Sequence, residues 1–297
     1  MRKERKNMNL EEKLRNGKFV ITSEVGPPKG TNILPHIGEA EKLKGKVDAF
    51  NVTDIQSSVM RLGSLAVCRL LLDRGLEPVY QLTCRDRNRL ALQSDLLSAS
   101  VLGIRNVLIL TGDHTLLGDH PQAKPVFDLD SVSLLRAAFG LMKGKDMEGN
   151  ELDGKPHFFM GGVVNPGYMP LELQLIKMEK KIEEGASFFQ TQAVYDIKAF
   201  ENFMEAASRF KVPVLGGIVL LKSAGMARFM NENVSGVSVP AKYIKMMASA
   251  EKKDRPKVST DIAAELIRGM KDICSGIHIM PLGWDRHIPA ALERAGL

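Results

Sequence analysis

Short apolar runs and longer amphipathic stretches alternate along the chain. A run rich in β-branched or aromatic residues is followed by a turn marked by Gly, Pro or polar residues, then by a pattern of helical period, and the unit recurs eight times. Strands are predicted at residues 19–24, 49–53, 78–83, 106–113, 157–164, 187–192, 213–219 and 276–281. Helices are predicted at 32–44, 62–74, 88–102, 131–142, 170–184 and 197–210, then at 223–231, 241–252 and 261–273, with a closing helix at 288–295. In the second of these, Leu65, Cys68 and Leu72 form the inward stripe. Eight strand–helix units in 297 residues, somewhat above the roughly 250 typical of the fold, point to an α/β protein, a single-domain (β/α)8 TIM barrel. A doubly wound open sheet is the alternative, but no Gly-x-Gly-x-x-Gly turn follows the first strand.

The stretch Asn106-Val-Leu-Ile-Leu-Thr-Gly-Asp113 anchors this reading. An apolar run without alternation suits a parallel strand covered on both faces, and in such sheets chemistry collects where the strands end. Gly112 permits a sharp turn there, and Asp113 then stands at the rim.

Composition narrows the class without changing it. Hydrophobic residues make up 44% and charged residues 26%, ordinary values for a folded protein. No apolar run approaches the roughly 20 residues that span a bilayer, and no signal peptide is recognised, so a cytoplasmic location is expected. Cys68, Cys84 and Cys274 form no Cys-x-x-Cys pair and are read as reduced thiols. Of the formal charge of +6, residues 1–18 supply +4 through seven Lys or Arg against three Glu. They form a basic leader or first helix ahead of a barrel over 19–297. Aromatics are not interleaved with these cations, which argues against nucleic-acid binding.

Polar residues close several of the predicted strands: Glu24, Thr53, Gln81 and Thr83, Thr111 and Asp113, Asn165, and Gln192. All would face one mouth of the barrel. Glu24, set between Phe19-Val-Ile-Thr-Ser23 and Val25-Gly-Pro-Pro28, is the candidate general acid, because apolar surroundings favour the protonated carboxyl. His114, Asp119 and His120 offer metal-ligand chemistry, but their spacing matches no standard site, and no metal is assigned. Met226, Met230, Met246 and Met247 are read as core filler or a partner surface.

Taken in order, Ser23-Glu24-Val25-Gly26-Pro27-Pro28, Val52-Thr53, Leu82-Thr83-Cys84, Leu110-Thr111-Gly112-Asp113, the helix start at Asp130, Asn165-Pro166, Lys180-Lys181 with Gly185-Ala186, and Thr191-Gln192 resemble the methylenetetrahydrofolate reductases, flavoproteins with a barrel fold. The resemblance implies that flavin lies across the barrel mouth, accepts a hydride, and passes it to the one-carbon bridge of 5,10-methylenetetrahydrofolate. It implies that Glu24 protonates the folate, that Asp113 stabilises the resulting cation between flavin and pterin, and that Gln192 binds substrate. Thr53, Gln81, Thr111, Gly112, Asp113 and Asn165 would line the flavin, with Lys181 at its phosphate end. Lys177, Lys180 and Lys181 could equally be the wet face of a helix.

This chain departs from the family pattern at several of these positions. Tyr80-Gln81 stands where many members carry Pro-His, Thr111 where they carry Arg, Asn165 where they carry His, and Gly161 and Ala224 where aromatics are expected. The departures are similar to a branch from anaerobic bacteria whose flavin subunit works with a zinc and iron–sulfur partner, so FMN or FAD, and a partner protein as electron donor, are the implied cofactor and donor. A homo-oligomer is left open. Two other readings stand beside the reductase: a folate-dependent one-carbon transferase without flavin, and a non-catalytic pterin- or flavin-binding subunit.

Overall fold

A computed structural model describes residues 8–297. Residues 1–7 of the basic leader lie outside the described residues. Helix α1 (Leu10–Arg15) opens the fold, followed by β1 (Val20–Val25), α2 (Leu34–Lys42), β2 (Ala49–Val52), α3 (Ser64–Asp73), β3 (Pro78–Thr83), α4 (Arg89–Val101), β4 (Asn106–Leu110) and α5 (Ser131–Met142). The second half continues with β5 (Phe159–Val164), α6 (Leu171–Glu183), β6 (Phe188–Ala193), α7 (Ile197–Ala207), β7 (Val214–Val219), α8 (Ala224–Asn233), α9 (Ala241–Ser249), α10 (Arg255–Met270), β8 (Gly276–Met280) and α11 (Ile288–Ala295). The eight strands pair in sequence order, all parallel, and β8 closes on β1 with Val20 opposite Gly276. The predicted (β/α)8 barrel is therefore the observed fold.

Side chains alternate across a strand, so every second residue points into the barrel. The lowest inward layer is apolar: Val20, Ala49, Val79, Leu108, Phe159, Phe188 and Leu215 pack together with Leu10 and Leu14 of α1, which plugs the floor. An Asn9–Glu12 capping box starts that helix. The Leu10 amide donates to Glu77 at 2.9 Å, and Lys13 pairs with Asp48, tying the plug to the bottom loops. Two residues up each strand the interior turns polar, with Thr22, Asn51, Gln81, Gln190 and His278 all buried. Two further up stand Glu24, Thr53, Thr83, Gly112 and Gln192. The same inward face thus carries the floor, a hydrogen-bonded middle and the mouth.

Some boundaries differ from expectation for local reasons. Strand β4 ends at Leu110, so Thr111 to Asp113 belong to the loop above it. Helix α10 begins at Arg255, six residues earlier than predicted, because Pro256 occupies its first turn. The buried stripe of α3 is Ser64, Val67, Cys68 and Leu71 rather than Leu65, Cys68 and Leu72. That helix is therefore rotated by about one residue, leaving Leu65 and Leu72 half-buried at its edges.

Candidate active site

A cavity of about 690 Å³ opens at the C-terminal ends of the strands. Glu24, Thr53, Gln81, Thr111, Gly112, Asp113, Asn165, Lys181 and Gln192 all line it, together with Thr83, so every site residue expected from sequence reaches one place. A recess of about 470 Å³ between β1 and the segment after β8 shares Glu24 and Gln56 with the cavity.

Each residue is placed by its own local device. Gly112 turns the chain above β4 at φ +91°, and a Cβ there would lie 3.1 Å from that of Arg85 and 3.2 Å from that of Thr83. Thr111 accepts from the Ser131 amide at 3.3 Å, joining this turn to the start of α5. Asp113 follows with an exposed side chain, and its backbone carbonyl accepts from Ser58 Oγ (3.1 Å) and Arg85 Nη1 (3.3 Å). A register shift between β6 and β7 spans Gln190 to Ala193. There Thr191 Oγ1 takes the Gly217 amide, and Gln192 Oε1 takes the Ala193 amide at 3.0 Å, which leaves the Gln192 amino group facing the cavity. Asn165 also braces the mouth, since its Nδ2 donates to the Ser235 carbonyl at 2.8 Å and pins the loop above β5 to the one above α8.

The carboxyl of Glu24 does not sit in the apolar setting expected from its sequence neighbours. His278 Nε2 lies 3.6 Å from Glu24 Oε1, and His278 Nδ1 lies 2.9 Å from Thr22 Oγ1. Thr53 Oγ1 is buried without a hydrogen-bond partner, an orphaned polar atom on the cavity wall. A ligand with donors or acceptors at that depth would satisfy it, as the heteroatoms of a flavin ring would. Gly161 does not reach the cavity. A Cβ there would meet the Phe188 ring at 2.3 Å, so the residue is small to make room for the packed floor. Ala224 is buried in the first turn of α8.

At the opposite edge the cavity meets the start of α5 and one face of α6. Lys177 and Lys180 are exposed, whereas Lys181 turns inward and donates to the Val163 carbonyl at 2.7 Å. Burial, and then the charge of Lys177, push the Lys181 ammonium down to about 8. Asp130 caps α5. Burial works to raise it, but hydrogen bonds from the Ser133 hydroxyl and backbone hold it below the ordinary carboxylate range. The start of α5 has its Ser131 and Ser133 amides taken by Thr111 and Asp130, so the inward Lys181 is the donor this edge offers an anionic phosphate.

Several lining residues carry no signal that singles them out in the sequence. Asp54 is fully buried, accepts from the Thr83 amide (3.0 Å) and hydroxyl (2.8 Å), and pairs with Arg87 at 2.8 Å. Arg85 is buried beneath the loop above β2, where Ile55, Ser57 and Ser58 all have positive φ, and donates to Ile55 O and Ser58 Oγ. Charged residues directly after β2 and β3 are the one hint available. Asp119 accepts from His120 Nδ1 (2.8 Å) and the Met60 amide (3.0 Å) and pairs with Lys29, so it latches three mouth loops together. Among the described residues no cluster of His, Cys, Asp and Glu could hold a metal, and none of the helices is long and apolar enough to cross a membrane.

Comparison with known proteins bears on what these residues serve. Methylenetetrahydrofolate reductase 2 of Schizosaccharomyces pombe is 25% identical over 98% of this chain and 48% of its own length. A probable methylenetetrahydrofolate reductase (NADPH) of Caenorhabditis elegans is 22% identical over 91% of this chain and 41% of its own. The chain thus spans about half the length of these curated relatives. Among solved structures, an uncharacterized protein from Clostridium thermocellum that binds two copies of 5-methyl-5,6,7,8-tetrahydrofolic acid aligns with TM-score 0.64 and 18% identity, covering 96% of this chain and 97% of that one. A 2,3-dimethylmalate lyase aligns with TM-score 0.53 and 11% identity, over 96% and 87%. At these identities the two structures share the barrel. The methylenetetrahydrofolate reductase family model matches residues 9–296, from the floor helix through every strand that carries a cavity residue, and the chain therefore belongs to that family.

Proposed function

We propose that this chain reduces 5,10-methylenetetrahydrofolate to 5-methyltetrahydrofolate, with residues 19–297 as the flavin- and folate-binding unit and α1 as its floor. The observation that carries the reading is the gathering of Glu24, Asp113 and Gln192, from the end of β1, the loop above β4 and the end of β6, around one cavity of about 690 Å³. Bound flavin, FMN or FAD, supplies the hydride. Thr53 and Gln81 would meet its ring, Thr111, Gly112 and Asn165 its flanks, and Lys181 its phosphate.

The chain's own contribution is acid catalysis and orientation. The methylene carbon of the substrate bridges N5 and N10, and the product keeps it on N5, so N10 must leave. Glu24 gives its proton to N10: the O–H bond breaks, an N10–H bond forms, and the carbon–N10 bond opens to leave a cation on N5 and the methylene carbon. Asp113, exposed at the rim with its backbone held by Ser58 and Arg85, faces that cation with a fixed negative charge. Gln192 offers a free amino group to orient the pterin.

The departures at Gln81, Thr111 and Ala224 support a donor other than direct NADH, namely a zinc and iron–sulfur partner protein. Three unpaired cysteines fit a reducing, cytoplasmic setting. The experiment is an absorption spectrum of the purified chain, identification of any flavin released by acid, and anaerobic mixing of the dithionite-reduced protein with 5,10-methylenetetrahydrofolate. Flavin reoxidation with formation of 5-methyltetrahydrofolate is the expected result. A protein that stays colourless after reconstitution would return the site to a one-carbon transferase.

A further inference from the structure

We infer that His278 is the positioning residue for Glu24: it fixes the acid through a directional hydrogen-bonded chain that crosses the polar middle layer of the barrel. The inference rests on the proposed role of Glu24 as proton donor.

The chain starts at two amides. Asn51 Nδ2 donates to Gln190 Oε1 at 2.7 Å, and Gln190 Nε2 donates back to Asn51 Oδ1 at 3.1 Å. In this pair each amide donates through its nitrogen and accepts through its oxygen. The second N–H of Gln190 then points to Thr22 Oγ1 at 3.5 Å. With that lone pair approached by a donor, the Thr22 hydroxyl directs its proton to its nearest acceptor, His278 Nδ1 at 2.9 Å, rather than to the Ile277 carbonyl at 3.4 Å. A neutral imidazole that accepts at Nδ1 must carry its proton on Nε2. Nε2 faces Glu24 Oε1 at 3.6 Å, within a small side-chain rotation of a hydrogen bond.

Two features argue that this arrangement serves the acid rather than the barrel. Packing alone does not require a polar layer: at the equivalent height β4 places Leu110 and β5 places Gly161. Buried polar groups cost stability unless paired, and within this row Asn51, Gln190, Thr22 and His278 are linked in sequence, the chain ending at the imidazole that faces Glu24. Glu24 also needs an anchor. Among the described residues no hydrogen bond holds its carboxyl, and the His278 ring is its one acid–base contact. Asp113 and Gln192 on the cavity side and Arg61 and Asp285 on the recess side line the same spaces without that contact. With His278 in place, the carboxyl keeps one oxygen toward β8 and leaves the other for N10 of the substrate. After proton transfer, the same N–H meets the new carboxylate.

Two substitutions separate positioning from packing. The side-chain nitrogen of glutamine reaches about as far as Nε2 and can donate as it does, and the side-chain oxygen of asparagine reaches about as far as Nδ1 and can accept as it does. His278→Gln therefore keeps a donor toward Glu24 and gives up the Thr22 contact, whereas His278→Asn does the reverse. Each variant is reduced with dithionite and mixed anaerobically either with 5,10-methylenetetrahydrofolate or with menadione, whose reduction needs no protonation of folate. His278→Asn should slow folate-driven flavin reoxidation about tenfold or more in the maximal rate, with the half-saturating folate concentration little changed. His278→Gln should stay within about threefold of wild type. Both should retain flavin and the wild-type rate with menadione. Equal losses in the two variants, or a His278→Asn variant as fast as wild type while Glu24→Gln is inactive, would overturn the role of His278 alone. A Glu24→Gln variant that turns over folate normally would overturn the acid assignment and this inference with it.

Discussion

Arg85 reaches across 28 residues to the backbone carbonyl of Asp113, and the guanidinium that makes this contact is also bound to Ser58 Oγ, the Ile55 carbonyl and Asp86. One buried cation therefore holds the loops above β2, β3 and β4 against each other. Asp113 owes its place at the rim to Arg85 more than to its own strand, because β4 has ended three residues earlier. Arg85→Met would keep the apolar stem and remove the guanidinium from four acceptors, of which the Asp113 carbonyl keeps the Ser58 hydroxyl. Asp86 is partly exposed and can be rehydrated, so the loss should be about 3 kcal/mol rather than the full cost of an orphaned buried charge. Urea denaturation of the flavin-free protein measures it. Flavin affinity should fall together with stability. A variant of unchanged stability would show that the clamp contributes nothing.

The same loop is pressed from the other side by Gly118. A Cβ there would sit 1.8 Å from the Ser58 carbonyl oxygen, and backbone cannot step aside as a flexible side chain can. Gly118→Ala should therefore displace the stretch from Ile55 to Ser58, whose positive φ angles leave it little freedom. The expected cost is about 1–3 kcal/mol in stability, with flavin binding weakened about tenfold or more. Thermal melts and fluorescence titration with FMN read the two effects. Gly225, beside whose Cβ position only the Ser223 hydroxyl lies at 3.7 Å, is the control, and Gly225→Ala in α8 should leave FMN binding unchanged and raise rather than lower stability.

Much of this architecture is legible in the chain because its punctuation is local. Pro78 opens β3, Asp130 caps α5 and Pro289 stands in the first turn of α11, and those elements lie where the pattern places them. Glu24, Gln81 and Gln192 are legible as polar residues at or near the ends of apolar runs. The supports of the site are not. Beyond the adjacent Asp86, Arg85 acts through Ser58, Ile55 and Asp113, Asp54 acts through Thr83 and Arg87, and His278 through Thr22, partners 27 to 256 residues away that the local sequence does not reveal. Gly161 is opaque for a related reason. Its small size answers to Phe188 on the next strand, a contact that only strand register creates.

Helix α1 offers a separate test, since the basic residues around it suggest a solvated leader while its apolar residues close the barrel. Leu10 is fully buried and Leu14 nearly so, both against the lowest inward layer. Leu10→Ala should cost about 2–4 kcal/mol, the range for a leucine removed from a packed core. Lys18→Ala, at an exposed position beyond the helix, should change stability by less than about 0.5 kcal/mol. Denaturant midpoints at constant m-value make the comparison. If Leu10→Ala is as mild as Lys18→Ala, α1 lies on the barrel without sealing it.

Lys181 gives the phosphate end of the site a proton signature. Its ammonium is buried and pushed down to about 8, so in the flavin-free protein the charged form is disfavoured. Below about pH 8 this lysine is charged both folded and unfolded, and folding bears the desolvation cost. As pH rises from about 8 toward the ordinary lysine value, the folded protein releases the proton first and that cost fades. A flavin phosphate beside Nζ adds a negative charge that draws the proton back. Binding of FMN at about pH 8.5 should therefore take up a fraction of a proton, and binding at about pH 6.5 should take up none through this group. Titration calorimetry in two buffers of different ionisation enthalpy measures the uptake. Lys181→Met should abolish it at about pH 8.5 and weaken FMN more than riboflavin, which lacks the phosphate. Equal weakening of the two ligands would move the phosphate away from Lys181 and toward the exposed Lys177.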